Sequence, residues 1–168
     1  MKDVVVSKPL VSSELVEMVK SKFALIKDRD MSFVREYLVE NSGYTNEQAL
    51  GMEREYKRFL SMSFVVTDEK RYPVSDKVDP FWHTHLMFTH DYTRMCHTLG
   101  GRYIHHVPAT TAEARARLCE PYKENTLPLY REIFGEPDPK WWPQNASICI
   151  VCCDRPHHVQ SEELMLVV

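Results

Sequence analysis

Between Thr45 and Phe64 the apolar residues Ala49, Met52, Tyr56, Phe59 and Phe64 recur at the spacing of one helix face. Thr45 and Gln48 stand three apart in the capping-box pattern, in which hydroxyl and amide side chains each satisfy an orphan amide at a helix start. A stripe of this kind needs partner faces, and the flanking sequence supplies them. Residues 12–27 open on Ser12 or Ser13 as N-cap and carry Leu15, Val19, Phe23 and Ile26 at helical spacing. A shorter helix follows Asp30, with Met31, Val34, Tyr37 and Leu38 on one side and Asn41 and Gly43 at its end.

The charged residues and prolines of 67–78 predict an irregular connection. Asp79-Pro80 then reads as an N-cap followed by proline in the first turn, opening a fourth helix that runs to about Leu99. Gly100-Gly101 stops it, and Arg102–Pro108 is expected to be an extended return. Thr110 and Glu113 repeat the capping-box pattern, and Pro121 and Pro128 predict that the helix they open is kinked or split before Gly135. The sequence therefore implies an all-α fold: a single compact helical domain of about five helices over residues 1–143, a short extended return, and a loosely structured cysteine- and histidine-containing tail over 144–168.

Composition narrows the function. A formal net charge of −3 on 168 residues, with no long basic block, argues against nucleic acid. No apolar stretch approaches the roughly 20 residues of a membrane span, and Met1–Val11 lacks the pattern of a secretory signal. The five cysteines are unevenly spread, which suits reduced thiols in a cytoplasm better than a secreted disulfide framework. The partner is then an unidentified small molecule or protein.

Histidine is the informative residue. Six of the eight fall in close pairs: His83/His85, His105/His106 and His157/His158. Imidazole is the commonest transition-metal ligand, and a site needs several convergent donors. On one helix His83 and His85 point roughly 200° apart, so they do not share an ion unless the backbone departs from helix. The extended return carries His105 and His106 back along the helix, and adjacent strand residues face opposite ways. One histidine of each pair is therefore expected to approach the other across helix and return. His83, His85, His105 and His106 are the candidate metal ligands, with zinc or another divalent transition metal as the expected cofactor. An open coordination position would support metal-activated water chemistry on a substrate the sequence does not name. The competing reading is a non-enzymatic protein-interaction module whose histidines are structural, packed with Trp82, Phe88, Tyr92 and Tyr103. Asp79 and Asp91 are the nearest carboxylates to orient the rings. His90 and His97 read as surface or packing positions. A His-x-His metal-dependent barrel is excluded by length, since that fold needs typically about 250 residues.

The pattern Val78-Asp79, Trp82-His83-x-His85, Tyr92, Cys96, a glycine, then His105-His106-x-Pro108 resembles the glycine-rich domain-containing-protein-like family. The resemblance extends from about Tyr56 through Pro143 and makes Trp82, His83, His85, Tyr92, Cys96, His105, His106 and Pro108 its marker positions. It implies no defined activity. The chain departs from it in having only five glycines, so a glycine-rich region is absent. Farther on, Cys149-x-x-Cys152-Cys153 and His157-His158 offer soft donors suited to zinc or copper(I), or a thiol-based redox role. A single Cys-x-x-Cys without a second pair equally fits cysteines that merely pack. Cys119 has no histidine or cysteine near it in sequence and is expected to be structural.

Overall fold

The computed structural model describes residues 11–65 and 70–144 together with the backbone of 150–153. The helices are α1 (Ser13–Ile26), α2 (Ser32–Ser42), α3 (Asn46–Ser63), α4 (Asp79–Met87), α5 (Thr89–Gly100), α6 (Ala112–Pro121) and α7 (Leu127–Phe134), with a π-helical turn, Tyr122–Thr126, joining the last two. Three very short strands, β1 (Val74–Ser75), β2 (His106–Val107) and β3 (Ile150–Cys153), form the sheet among the described residues. The fold is thus mostly helical, as the periodicity implies.

Helix starts follow the local chemistry. The Ser12 hydroxyl accepts from the Leu15 amide at 3.3 Å. Both halves of the Thr45/Gln48 box form, at 3.2 and 2.8 Å. The cap of α6 is Thr111, one residue later than the pattern suggested; its hydroxyl accepts from the Ala114 amide at 3.1 Å. Asp79 is not a cap either. It is the first residue of α4, Val78 holds the N-cap position, and the Asp79 carboxylate is left free to bond elsewhere.

The largest departure from expectation is at Phe88. The predicted single helix over 80–99 is broken there by a backbone at φ −88°, ψ 61°, so α4 and α5 are separate. No proline or glycine causes the break. The Phe88 ring packs edge-on against Phe33 and Tyr37 of α2, at centroid distances of 4.9 and 6.1 Å. Tertiary packing overrides local helical preference here.

At the other end of α5 the two glycines serve different needs. Gly101 is left-handed at φ 72° and caps the helix, while a Cβ on Gly100 would lie 2.6 Å from the Phe64 ring. The split expected from Pro121 and Pro128 is the π turn. Pro121 has no amide to continue the α pattern, and the Leu127 amide reaches back to the Tyr122 carbonyl. The wider turn directs Asn125 and Thr126 onto the carbonyls of Arg71 and Pro73, at 3.0 and 2.9 Å.

Helix α3 is the central element, packed against α1, α2, α4 and α7. Tyr56 and Phe59 of α3 meet Phe81 and Trp82 of α4 in the buried core. Glu55, also buried, accepts from the Tyr130 hydroxyl at 2.5 Å and the Trp142 indole at 2.9 Å, and pairs with Arg54 and Arg58. Burial raises the affinity of Glu55 for a proton, but these donors outweigh it and hold the carboxyl below its ordinary range. Strand β3 lies between the other two, antiparallel to both, with Val74 opposite Val151 and His106 opposite Cys153. No described helix is long and apolar enough to cross a membrane.

Candidate metal centre

Helix α4 places Asp79 and His83 four residues apart, and so on one face. The left-handed turn at Gly101 sends the chain back past α4, and the buried Ile104 seats the return on the core. His106 then arrives beside that face. Its Nε2 is 2.9 Å from Asp79 Oδ1 and 2.7 Å from His83 Nε2, and His83 Nε2 is 3.3 Å from Asp79 Oδ2. Trp82 backs the group, its ring edge-on to His106 at 4.6 Å. The side chains of Asp79 and His106 are 10% and 6% exposed, that of His83 53%. The cluster sets a carboxylate and two imidazoles together, with its His83 side open to solvent. Asp79, His83 and His106 are the group of donors that meets metal-site spacing among the described residues.

Donors about 2.1 Å from one ion stand about 3.0 Å apart at right angles and about 3.4 Å apart at the tetrahedral angle. The three contacts, 2.7 to 3.3 Å, are close to the octahedral edge and reach toward the tetrahedral one. Two imidazoles and a carboxylate on one face of an ion form a donor set shared by catalytic zinc and non-haem iron. Without an ion, the 2.7 Å contact needs one ring nitrogen protonated and the other not. Burial pushes the His83 ring below the ordinary histidine range, Asp79 pulls it up, and His106 pushes it down again.

His85 is brought to neither ring of this cluster. It lies on the other side of α4, with no exposed surface, ringed by Phe33, Tyr56 and Tyr92 at 6.2, 5.7 and 5.2 Å. Its Nδ1 is 2.9 Å from the Tyr56 hydroxyl and its Nε2 3.0 Å from Asp91 Oδ1. The break at Phe88 makes this contact. In an unbroken helix the six-residue separation would set Asp91 roughly 9 Å along the axis from His85. Burial drives the His85 ring down to about 4, against the pull of Asp91. A neutral ring then donates from Nε2 to the acceptor-only carboxylate and accepts at Nδ1 from Tyr56. Arg29 completes the line, 2.5 Å from Asp91 Oδ2. Burial raises the proton affinity of Asp91, but the bonds from His85 and Arg29 outweigh it and hold that carboxyl low.

His105 is exposed and faces away from the cluster, its ring 4.7 Å from Tyr103. The alternation expected of the return therefore selects His106, and the opposed directions of His83 and His85 select His83. His90 and His97 are exposed. Cys96 is buried, and burial pushes its thiol up. Cys119 is half-buried, its thiol 3.7 Å from the Arg115 carbonyl. Cys149, His157 and His158 lie outside the described residues. Sequence reasoning gave Asp79 a capping role and, with Asp91, a ring-orienting one, rather than a ligand's. The i, i+4 spacing to His83 was the available signal, since it sets carboxylate and imidazole on one helix face.

Fold and site together define a helical protein with an Asp-His-His cluster at the junction of a helix and its return segment. The chain belongs to the UCP032817-like family, whose model matches residues 12–121, more than half of the sequence. That finding corrects the expected kinship with the glycine-rich domain-containing-protein-like family. The pattern that carried the resemblance, from Val78 to Pro108, falls inside the matched span, but five glycines leave nothing of a glycine-rich protein around it. No curated protein and no solved structure matches the chain.

Proposed function

We propose that this protein binds a divalent transition-metal ion through Asp79, His83 and His106. The supporting observation is the convergence of one carboxylate and two imidazole nitrogens, from two separate segments, within 3.3 Å of one another. The nitrogen-rich set suits zinc first, with iron and copper as the other divalent or redox-active occupants. His83 forms an exposed rim, so the ion keeps coordination positions on the solvent side. A water molecule held there is acidified, and hydrolytic chemistry on a small polar substrate is the reaction class that follows. Elemental analysis of protein purified without an affinity tag tests the reading, together with zinc titration of the stripped protein. D79N, H83A and H106A should each weaken binding on the order of a hundredfold, while H105A should not. Equal affinity of wild type and H106A would refute it.

One observation favours the second reading, a non-enzymatic interaction module with structural histidines. Asp79, His83 and His106 also satisfy one another by hydrogen bonding alone. Protein that contains no metal as purified and is not stabilised by added zinc would leave that reading in place.

A further inference from the structure

Away from the metal centre, a cleft of about 300 Å³ lies where the end of α1 packs against α3, lined by Phe23, Lys27, Leu50, Glu53, Arg54 and Lys57. An apolar cavity of about half that size holds benzene, so there is room for one ring and a short chain. The two buried members of the lining are already committed. The Lys57 ammonium donates to Glu53 and to the carbonyls of Lys27 and Arg29, which uses all three of its protons. Glu53 is held by Lys57 on one oxygen and by Arg35 on the other. The exposed cations are not committed. Arg54 bonds Glu55 through Nε alone, and the Lys27 ammonium stands 3.8 Å from the exposed Asp28, outside hydrogen-bond reach. Among the described residues, both Nη groups of Arg54 and the Lys27 ammonium therefore have no acceptor. Leu50 is exposed and Phe23 half-buried, its ring edge-on to Phe134 at 5.0 Å. Phe23 and Lys27 are one helical turn apart, and so are Leu50 and Arg54. Each helix thus brings one apolar and one cationic side chain to the same cleft.

We propose that this cleft binds a small carboxylic acid, as its anion, with an aromatic or branched apolar body. The body lies on Phe23 and Leu50. The carboxylate is taken by the free Nη groups of Arg54, whose planar fork matches it, with Lys27 as the second cation. The bond from Arg54 Nε to Glu55 holds that fork in place. Three cations and one carboxylate line the cleft, and Lys57 and Arg35 offset the charge of Glu53. The surplus favours an anion, while the presence of Glu53 favours a single negative charge over the two of a phosphate monoester. The inference is independent of the metal reading, since it shares no residue with Asp79, His83 and His106.

The test uses the full chain, stripped of metal and kept in chelator, with 3-phenylpropionate as the probe. Its uncharged amide and phenyl phosphate are the comparisons. Titration followed by backbone-amide NMR should show saturable shifts centred on Phe23, Lys27, Leu50 and Arg54, with a dissociation constant of about 1 mM or tighter. The amide and the phosphate should each bind about fivefold more weakly or worse. K27Q and R54Q should each weaken the acid about fivefold, the effect of one partly exposed charge pair, and K20Q, outside the cleft, should not. Equal binding of acid and amide would overturn the proposal, as would full affinity in the K27Q/R54Q double variant or the absence of saturable shifts. Tighter binding of phenyl phosphate would overturn the carboxylate assignment. Shifts centred on His83 and His106 would put the acid at the metal centre and refute the cleft. Should R54Q disturb the fold through Glu55, the comparison of acid with amide in the wild type decides the matter.

Discussion

Acid should loosen this fold through His85, and the size of the effect follows from its surroundings. The ring is wholly buried and held at about 4, against an ordinary 6.5. As pH falls below 6.5 the unfolded chain takes up a proton at this histidine while the folded chain does not, so stability falls. The loss continues until the folded ring also titrates near 4 and is flat below that. Each pH unit between the two values is worth about 1.4 kcal/mol, giving a full loss on the order of 3 kcal/mol and about 2 kcal/mol by pH 5. Asp91 does not offset this, because its depressed carboxyl stays ionised throughout that window. The comparison is wild type against H85Q, whose amide can still accept from Tyr56 and donate to Asp91 but does not titrate. Urea unfolding of both, in chelator at pH 7 and pH 5, isolates His85 from the other histidines. Wild type should lose about 2 kcal/mol more than H85Q. Parallel losses in the two proteins would refute the assignment of a buried neutral ring.

Zinc at a hundred times its dissociation constant should stabilise the wild type by about 2.7 kcal/mol, a rise of roughly 5 to 10 °C in thermal midpoint, and should leave D79N unmoved. Glu55→Ala should cost about 3–5 kcal/mol in urea unfolding, because it strands the Tyr130 hydroxyl, the Trp142 indole and Arg58 around a vacated buried position. Gly101→Ala forces a side chain into the left-handed region at φ 72° and should cost about 1–2 kcal/mol by the same assay.

Local chemistry made much of this architecture readable. Thr45 and Gln48 announce α3, Gly43 and Gly101 mark helix ends, and Pro121 foretells the disruption that becomes the π turn. The helix-period argument separated His83 from His85, and the strand-period argument separated His106 from His105. What stayed hidden depends on neighbours remote in sequence. Nothing near Phe88 marks a break, because the cause is its seat against Phe33 and Tyr37. That break in turn brings Asp91 to His85, giving a buried hydrogen-bonded role to a residue that sequence alone offers as a ligand. Asp79 shows the same limit in reverse. Aspartate before proline at a helix start is a capping signal; His83 one turn on and the arrival of His106 give the carboxylate a different occupation.

The strand order β1-β3-β2 also fixes a sequence of events in time. Neither of the two earlier strands pairs with the other; each waits for the last one, and β1 precedes it by more than seventy positions. Such long loop closures are slow compared with helix formation. On a ribosome the helices around Tyr56 and Trp82 are complete and able to pack while the sheet still lacks its middle member. The edges at Val74 and His106 stay unpaired during that interval. Insertion of Ile150–Cys153 between them is therefore the closing step of assembly, and a chain arrested before it would present two short open edges to its surroundings.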